Sequence, residues 1–408
     1  MPPRKPALVF IFITLFLDIL GIGLVVPILP KLVEEVAGGG IDRAAYLYGW
    51  LIGLYALMQF LFAPVIGNLS DRFGRRPVIL LSLFGSGLDY FLLAWAPTLA
   101  WFFVGRILSG ITGANYAAAV AYIADVSPPE RRAMNFGLVG AAFGLGFIFG
   151  PALGGWLGDY GLRVPFIAAG VLTLLNWLYG FFILPESLKV ENRRRFQLGR
   201  ANPVGALLQL RRHRLVLGLS FSYFLSGLAH QVYPSIWVLY TGYRYGWGTK
   251  QTGLSLALVG LMTAIVQGGL TRRVIPKIGE RRAALFGFGV MAVALTGYGL
   301  APEGWIVYPI IVFGSLSGLA VPAIQGMISR TVGDDEQGGI QGTLTALQSV
   351  AGATGPLLAT AVFGFFLSDQ APAVVPGAPF FLSSALAVMA GFLAARSFRR
   401  NPVVAGGP

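Results

Sequence analysis

Twelve long apolar runs recur along this chain, and they constrain its fold more than any other feature. An α-helix needs roughly 20 apolar residues to cross about 30 Å of hydrocarbon. Backbone groups in lipid must be satisfied internally, and the runs lack a two-residue alternation, so we expect helices and not a barrel. The predicted spans are 7–30, 46–69, 78–96, 100–124, 136–158, 164–184, 215–241, 252–270, 283–301, 305–328, 343–367 and 380–395.

The composition agrees with a chain whose solvent is a bilayer. Of its 408 residues, 55% are hydrophobic and only 12% are charged, whereas about a quarter of the residues in a soluble domain are charged. The net charge is +13, but its distribution excludes a nucleic-acid partner. With a cytoplasmic N-terminus, 24 Lys and Arg residues fall in inner segments and five in outer loops. This asymmetry predicts that both termini are cytoplasmic.

The spans divide into two sets of six, which predicts an all-α membrane protein with two pseudo-symmetric six-helix bundles. We place the bundles at 1–184 and 215–408, with a cytoplasmic linker at 185–214. Gly150-Pro151 in the fifth span recurs as Gly355-Pro356 in the eleventh, as expected after a duplication. Transporters built from paired repeats bind substrate between the halves. The linker is interpreted as a solvated tether, with regulation or lipid-headgroup binding as the alternative.

The loop after the second span carries the most specific motif, Gly67-Asn68-Leu69-Ser70-Asp71-Arg72-Phe73-Gly74-Arg75-Arg76-Pro77. At every defined position it resembles the signature of the major facilitator superfamily. The resemblance implies a charge network that latches the inner gate, formed by Asp71, Arg72, Arg75 and Arg76 with Asp125 as partner. A loop that only sets topology is the alternative.

The fifth span carries a second pattern, formed by Gly137, Gly146, Gly150, Pro151, Gly154 and Gly155. Glycines at this spacing flatten one helix face and allow close packing in lipid. The pattern resembles the antiporter motif of the twelve-span drug/proton antiporters. Generic tight packing is the alternative.

Further segments resemble the bacterial tetracycline-efflux antiporters over nearly the whole chain. They are Tyr55 to Gln59, Asp71 to Pro77, Leu88-Asp89-Tyr90, Gly105 to Ala114 and Trp237-Val238-Leu239. The resemblance implies a monomer in the bacterial inner membrane that exports a drug-like compound in exchange for protons. Tetracycline is one candidate substrate.

Three ionisable residues within the spans are the candidates for proton coupling: Asp18, Asp89 and Arg106. Such groups are costly in hydrocarbon and mark functional sites. Both aspartates lie near the middle of the membrane, and Arg106 can reach a carboxylate through its long side chain. Burial disfavours a charged carboxylate and a nearby arginine favours it. Helix movement between these surroundings would take up and release a proton; a static ion pair is the alternative. In the tetracycline exporters the matching residues are associated with transport.

Polar and aromatic side chains that we expect to face the substrate are Gln59, His230, Gln231, Trp237, Gln267 and Gln325. The resemblance implies substrate contacts for Gln59 and Gln267. For His230 a packing histidine is the preferred interpretation, and a substrate contact is the alternative.

Two positions depart from the tetracycline exporters. Where these proteins carry an aspartate in span 9 and a histidine in span 8, this chain has Met291 and Thr263. No acidic residue lies in the six predicted C-terminal spans, so coupling is expected to depend on the N-terminal half. The departures leave open the proton stoichiometry and whether tetracycline itself is carried.

Other functional classes find little support. The chain has no cysteine and two histidines, and it lacks a GxxxxGK[ST] loop for ATP. We therefore expect no metal, no cofactor and no enzyme activity. The expected partners are a small-molecule substrate, protons and the lipid bilayer. Proton-coupled uptake or facilitated transport of a small solute by the same fold remains the alternative function.

Overall fold

A computed structural model describes residues 8–113, 116–127, 132–188, 190–193, 214–331 and 337–400. Within these ranges the chain is helical and forms no strand, which confirms the predicted all-α class. Eleven of the described helical segments are long and apolar enough to cross a membrane. The predicted fourth span is represented by two shorter helices, one on each side of residues 114–115, which lie outside the described structure.

In the part of the first half that the structure describes, there are eight α-helices and a short 3-10 turn at Val190–Asn192. The helices are α1 Leu8–Val25, α2 Leu29–Ala37, α3 Ile41–Phe73, α4 Arg75–Ala94, α5 Leu99–Thr112, α6 Tyr116–Val126, α7 Arg132–Gly158 and α8 Val164–Ile183.

Among the described residues of the second half, there are nine α-helices, interrupted by a π-helix at Val266–Leu270 and by 3-10 turns at Gly304–Ile306 and Ser315–Leu319. The helices are α9 Arg214–His230, α10 Val232–Tyr245, α11 Thr249–Ile265, α12 Thr271–Ile278, α13 Glu280–Leu300, α14 Val307–Gly314, α15 Ala320–Thr331, α16 Gln337–Leu367 and α17 Ala378–Arg400.

The first predicted span, 7–30, extends beyond the helix that the structure shows. Helix α1 ends at Val25, and a turn at residues 26–28 leads into α2. Pro27 cannot donate the hydrogen bond that would continue α1, whereas Pro30 lies in the first turn of α2, where no donor is needed. Helix α2 is therefore a separate, amphipathic element that follows the membrane-spanning helix.

The described residues form two compact units. The first unit comprises those of Met1–Ala201 and Val238–Leu261, and the second comprises those of Asn202–Trp237 and Met262–Pro408. The boundaries between the units fall within α10 and α11. The division into bundles at 1–184 and 215–408 stays a prediction. The bundles were inferred from the proposed duplication, whereas the two units are defined by how the described residues pack.

Each unit has its own apolar core. In the first unit, buried residues of α1, α4, α6 and α7 pack together, among them Ile11, Leu15, Ile79, Leu83 and Tyr122. In the second, α9, α13, α15, α16 and α17 contribute a core that includes Val216, Phe288, Ile324, Leu344 and Phe398. The first unit contains the predicted charged sites, and we name its two ends after Arg75 and Lys31.

Candidate transport site

Asp89 and Arg106 form a buried ion pair between α4 and α5. Asp89 is 2% exposed, and its Oδ2 lies 3.9 Å from Nη2 of Arg106. Gly105 allows this approach, since a Cβ there would lie 3.0 Å from Asp89 Oδ1. Among the described residues, neither Asp89 Oδ1 nor Arg106 Nε has a hydrogen-bond partner. A pair with unused donor and acceptor capacity is less firmly held than a bidentate one.

Arg106 also connects this pair to a predicted substrate residue. Its guanidinium carbon lies 5.6 Å from the ring centroid of Tyr55, within the range of a cation–π contact. Gln59 Nε2 donates hydrogen bonds to the Tyr55 hydroxyl at 3.0 Å and to the Gly113 carbonyl at 3.2 Å. A change in the charge of Asp89 can therefore reach Gln59 through Arg106 and Tyr55.

Asp18 approaches the same cluster from α1. It is half-buried, and it interacts electrostatically with Tyr55 of α3 and Tyr90 of α4. Tyr90 also interacts with Arg106 and Asp89. The three predicted proton-coupling residues thus share two tyrosines that the sequence did not single out as site residues. Their signal in the sequence was that both belong to segments resembling the tetracycline exporters, Tyr55 to Gln59 and Leu88-Asp89-Tyr90.

A second charge network lies at the Arg75 end of the first unit. Arg75 Nη1 lies 2.6 Å from Asp71 Oδ1, and its Nε lies 3.1 Å from Asp125 Oδ2. Arg75 Nη1 also donates to the Ser70 hydroxyl at 2.7 Å. Ser187 donates to Asp125 Oδ2 at 3.0 Å. The structure therefore brings Asp71, Arg75 and Asp125 together.

The other two arginines of the motif make different contacts. The Arg72 guanidinium lies 5.0 Å from the ring centroid of Phe73. Arg76 Nη2 donates to the Phe181 carbonyl at 2.5 Å. Both arginines therefore lie at this end of the unit without joining the Asp71–Arg75–Asp125 network through the contacts described.

Glu186 completes the network at the Arg75 end, although the sequence did not single it out. Its Oε1 accepts the backbone N–H of Arg75 at 2.9 Å, and its Oε2 accepts that of Arg76 at 3.3 Å. These N–H groups belong to the N-terminus of α4, where a carboxylate is stabilised by free donors and by the helix dipole. Gly74 precedes them with φ +107°, which favours glycine. Glu186 thereby fastens the chain that follows α8 to the motif loop.

The glycines of the fifth-span pattern pack α7 directly on α1. A Cβ on Gly150 would lie 2.6 Å from Cα of Gly23, and a Cβ on Gly146 would lie 2.6 Å from Cγ2 of Ile19. A Cβ on Gly154 would collide with the backbone of Leu24. Three glycines spaced by four residues thus form one flat helix face, and small residues are what allow such contact in lipid.

Gly155 faces a different helix. A Cβ there would lie 2.5 Å from the carbonyl oxygen of Thr249 and 3.1 Å from Cα of Gly253, both on α11 within the first unit. Pro151 lies inside α7. Gly137 belongs to the part of α7 whose surroundings lie outside the described structure. The pattern therefore serves two helix contacts, one with α1 and one with α11.

Lys31 of α2 marks the opposite end of the first unit. Its Nζ donates to the Trp247 carbonyl at 3.0 Å. Burial lowers the pKa of Lys31 below its ordinary value, while the carboxylates of Glu34 and Asp159 act in the other direction. The Thr249 hydroxyl donates to Asp159 Oδ1 at 2.6 Å. The sequence analysis predicted no functional site at this end, because the hydrogen-bonded pairs Lys31–Trp247 and Asp159–Thr249 are far apart along the chain.

In the second unit, Gln267 lies on an irregular piece of helix. It belongs to the π-helix Val266–Leu270, and Thr271 Oγ1 donates to the Val266 carbonyl at 2.8 Å. Gly318 of the neighbouring 3-10 turn Ser315–Leu319 faces it, since a Cβ there would lie 3.9 Å from Gln267 Nε2. Two irregular turns facing one another are typical of functional sites in transporter helices.

His230 and Trp237 belong to one group of aromatic rings in the second unit. His230 is exposed, and its ring centroid lies 5.2 Å from that of Tyr233. Trp237 is 3% exposed and packs edge-on against Tyr298, with 5.2 Å between ring centroids. Phe380 lies beneath both rings of that pair. His230 is therefore accessible, whereas Trp237 is buried and packs against Tyr233, the ring that contacts His230.

The two remaining glutamines of the second unit have specific neighbours. Gln325 Nε2 donates to the Tyr223 hydroxyl at 3.1 Å. Gln231 lies at the turn between α9 and α10, where a Cβ on Gly355 would lie 2.5 Å from Gln231 Cβ. Gln59 belongs to the first unit, and the other five substrate candidates belong to the second.

Comparison with known proteins identifies the family. The model of the Major Facilitator Superfamily matches residues 11–356 and 277–408. The chain belongs to the Major Facilitator Superfamily. It is 44% identical over 357 residues to tetracycline resistance protein, class C, of Escherichia coli, with 88% of this chain and 89% of the relative covered. The predicted resemblance is thereby confirmed.

Solved structures of transporters share the fold. The human organic anion transporter MFSD10 is 27% identical, with a TM-score of 0.69 over 97% of this chain and 100% of the other. The nucleoside transporter NupG is only 11% identical, with a TM-score of 0.77 over 96% of this chain and 99% of the other, and indicates the fold alone. This superfamily member is therefore a multi-pass membrane transporter.

The two departures from the tetracycline exporters differ in their surroundings. Met291 of this superfamily member is 7% exposed and lies on α13, whereas Thr263 of α11 is exposed. The apolar side chain of Met291 suits its buried position. It stands where the resemblance leads us to expect a carboxylate.

Proposed function

We propose that this chain exports an amphipathic drug of the tetracycline class in exchange for protons. The observation that carries the proposal is the buried Asp89–Arg106 pair, which is incompletely hydrogen-bonded and is connected through Tyr55 to Gln59. Relatives named as tetracycline resistance proteins, at 44% identity, support the substrate class.

Proton coupling follows from the competition for Arg106. While Asp89 is ionised, the guanidinium is held between the carboxylate and the Tyr55 ring. Protonation removes the charge on Asp89 and weakens this attraction. Arg106 then shifts toward Tyr55, which alters the position of Gln59. Asp18, which interacts with the same tyrosine, provides a second carboxyl group whose protonation acts on the cluster.

Alternating access requires a gate that opens and closes. In transporters with paired repeats, one bundle rocks against the other around the binding site. We assign the gate on the cytoplasmic side to the network of Arg75 with Asp71, Asp125 and Glu186. Its opening breaks charge-assisted hydrogen bonds, and drug and proton binding must offset that cost.

Substrate recognition is assigned to glutamine and aromatic side chains. Gln59 is connected to the ion pair, Gln267 lies on the π-helix, and His230 is an accessible aromatic donor. Gln231 and Gln325 contribute further amides, while Trp237 supports His230 through Tyr233. Amide and aromatic groups suit a ring system that carries many oxygen atoms.

The transporter acts as a monomer in the bacterial inner membrane, with both termini in the cytoplasm. The distribution of Lys and Arg supports this orientation. The Arg75 end of the first unit then faces the cytoplasm and the Lys31 end faces the outside.

Drug accumulation in cells tests the proposal. In a host that lacks its own efflux pumps, the chain should lower tetracycline accumulation, and a protonophore should restore it. Asp89→Asn should abolish the effect, whereas Asp369→Asn, at an exposed loop residue, should not. Unchanged accumulation of tetracycline and of a panel of lipophilic cations, with the protein present in the membrane, would contradict drug export.

A further inference from the structure

Four buried polar atoms without a hydrogen-bond partner among the described residues lie along the contact between α1 and α8. They are Oγ1 of Thr14, Oγ1 of Thr173, Oδ1 of Asn176 and the hydroxyl of Tyr179. We call these four residues the polar track. Thr14 is 2% exposed, and Thr173 and Asn176 are 0% exposed. Buried polar groups are rarely left unpaired, so this concentration in one helix contact requires an explanation.

The polar track passes Asp18. On α1, Thr14, Asp18 and Gly21 are spaced by four and three residues and therefore share one face. Asn176 Nδ2 donates to the Thr14 carbonyl at 2.9 Å. A Cβ on Gly21 would lie 3.3 Å from Thr173 Oγ1. Along α1, Asp18 thus lies between two positions, Thr14 and Gly21, that contact polar residues of α8.

The polar track continues from Asp18 toward the Arg75 end. Thr173, Asn176 and Tyr179 follow one another at intervals of three along α8, on the same side of the helix. The Tyr179 ring makes an edge contact with Phe10 near the start of α1, with 6.0 Å between centroids. Beyond Tyr179, α8 ends at Ile183.

The ionisable groups around the polar track are concentrated at its two ends. Helix α7, which packs on the neighbouring face of α1, has no ionisable side chain between Gly140 and Gly158. Toward the middle of the bundle, Asp18 interacts with Tyr55 and Tyr90, and both tyrosines also interact with Asp89 and Arg106. The ionisable groups at the Arg75 end are Tyr122, Asp125, Arg75 and Glu186. Of the four residues of the polar track itself, Tyr179 is the ionisable one.

We propose that water molecules occupy the polar track and carry protons between Asp18 and the Arg75 end. A buried water is stable where it finds two to four polar partners, and hydroxyl and amide oxygens provide them here. When the carboxyl group of Asp18 loses its proton, the O–H bond breaks, a carboxylate remains, and the proton passes to the adjacent water. The proton thereby leaves by a route separate from that of the drug. The inference rests on the proposed function, because it takes Asp18 as a proton carrier.

The rate of proton transfer at Asp18 tests the relay without any drug. After a pH jump, the purified full-length protein is followed by time-resolved infrared spectroscopy of the carboxyl band that Asp18→Asn removes. Thr173→Val and Asn176→Leu should slow the change in this band by about tenfold or more, because positioned proton-transfer groups contribute at least that much. The equilibrium amplitude of the band should persist. Thr173→Ser, which keeps the hydroxyl, should retain the rate of the unmodified protein.

The control is Thr252→Val. Thr252 is equally buried in the first unit, but its hydroxyl is bonded to the Gly248 carbonyl at 2.9 Å. This variant should not alter the rate. Unmodified rates in both Thr173→Val and Asn176→Leu, or an equal slowing in Thr252→Val, would overturn the relay alone. If Asp18→Asn removes no carboxyl band, the proposed role of Asp18 in transport fails, and the relay fails with it.

Discussion

Single residues carry the charge chemistry of this transporter, and the sequence predicted part of it. Asp89 and Arg106 could be paired in advance because ionisable groups within spans are few and seek partners. Tyr90 and Glu186 could not. A tyrosine in an apolar run has the same pattern as a packing residue, and Glu186 acts through backbone donors more than 100 positions away. Only folding brings these partners together.

The Asp89–Arg106 pair should behave as a coupled unit. Arg106→Met leaves a buried carboxyl group without its partner, which should lower the free energy of unfolding by up to about 3–5 kcal/mol. Adding Asp89→Asn to Arg106→Met should recover much of this loss in the free energy of unfolding. Neither Arg106→Met nor the double variant should carry out proton-coupled efflux. A double-mutant cycle of thermal unfolding in detergent measures the coupling. Strictly additive losses would show that the two side chains do not interact.

Lys31 should give folding stability a dependence on alkaline pH. Burial lowers its pKa, so between the folded pKa and the ordinary value of 10.5 the unfolded chain binds the proton more tightly. The free energy of unfolding should therefore rise as the pH rises through this interval. Lys31→Met should reduce that rise, whereas Lys250→Met, at an exposed lysine of α11, should leave it unchanged. Thermal unfolding from neutral pH upward measures both, and equal slopes in all three proteins would refute the expectation.

At the scale of elements, close helix contacts explain why the fifth-span pattern is rich in glycine. Because lipid offers little hydrophobic drive between helices, tight van der Waals packing must hold α7 against α1. The sequence predicted a flat glycine face on α7, but it could not say which helix lies against it. The structure assigns Gly146, Gly150 and Gly154 to α1 and Gly155 to α11.

Gly150→Ala should destabilise the α1–α7 contact. Its Cβ would lie 2.6 Å from the Gly23 backbone, which cannot move aside as a side chain can, and overpacking of this kind costs about 1–3 kcal/mol. Gly140→Ala is the matched control on the same helix, since no atom lies within 4 Å of its Cβ position. It should be neutral or stabilising by up to about 1 kcal/mol. Equal thermal stability of the two variants would contradict close packing at Gly150.

At the scale of the whole molecule, the apolar runs were sufficient to predict the all-α membrane class, whereas the family was predicted from the resemblance of the loop motif after the second span. The two halves also share details that the duplication implies. Gly74 and Gly279, both with positive φ, directly precede α4 in the first half and α13 in the second. In the second unit, Arg330 forms an ion pair with Glu280 at the start of α13. The polar track was beyond prediction, because an unpaired threonine cannot be distinguished in sequence from one bonded to its own helix.

The absence of cysteine provides a direct test of orientation. Asp369→Cys, between the last two spanning helices, should react in intact cells with a maleimide that does not cross membranes. Glu191→Cys, in the linker, should react only after the cells are permeabilised. Both positions are exposed, so burial does not limit the reaction. The opposite pattern would reverse the orientation that the positive charges predict.

Substrate-driven proton movement is the most direct test of exchange between drug and protons. Inside-out vesicles from a host without its own efflux pumps are energised, and tetracycline is added while a dye reports the proton gradient. We predict that tetracycline collapses the proton gradient with the unmodified chain and with Asp369→Asn. Asp18→Asn and Asp89→Asn should each abolish this response. A folded protein that gives no response to tetracycline or to lipophilic cations, or a response that survives in both span variants, would contradict it.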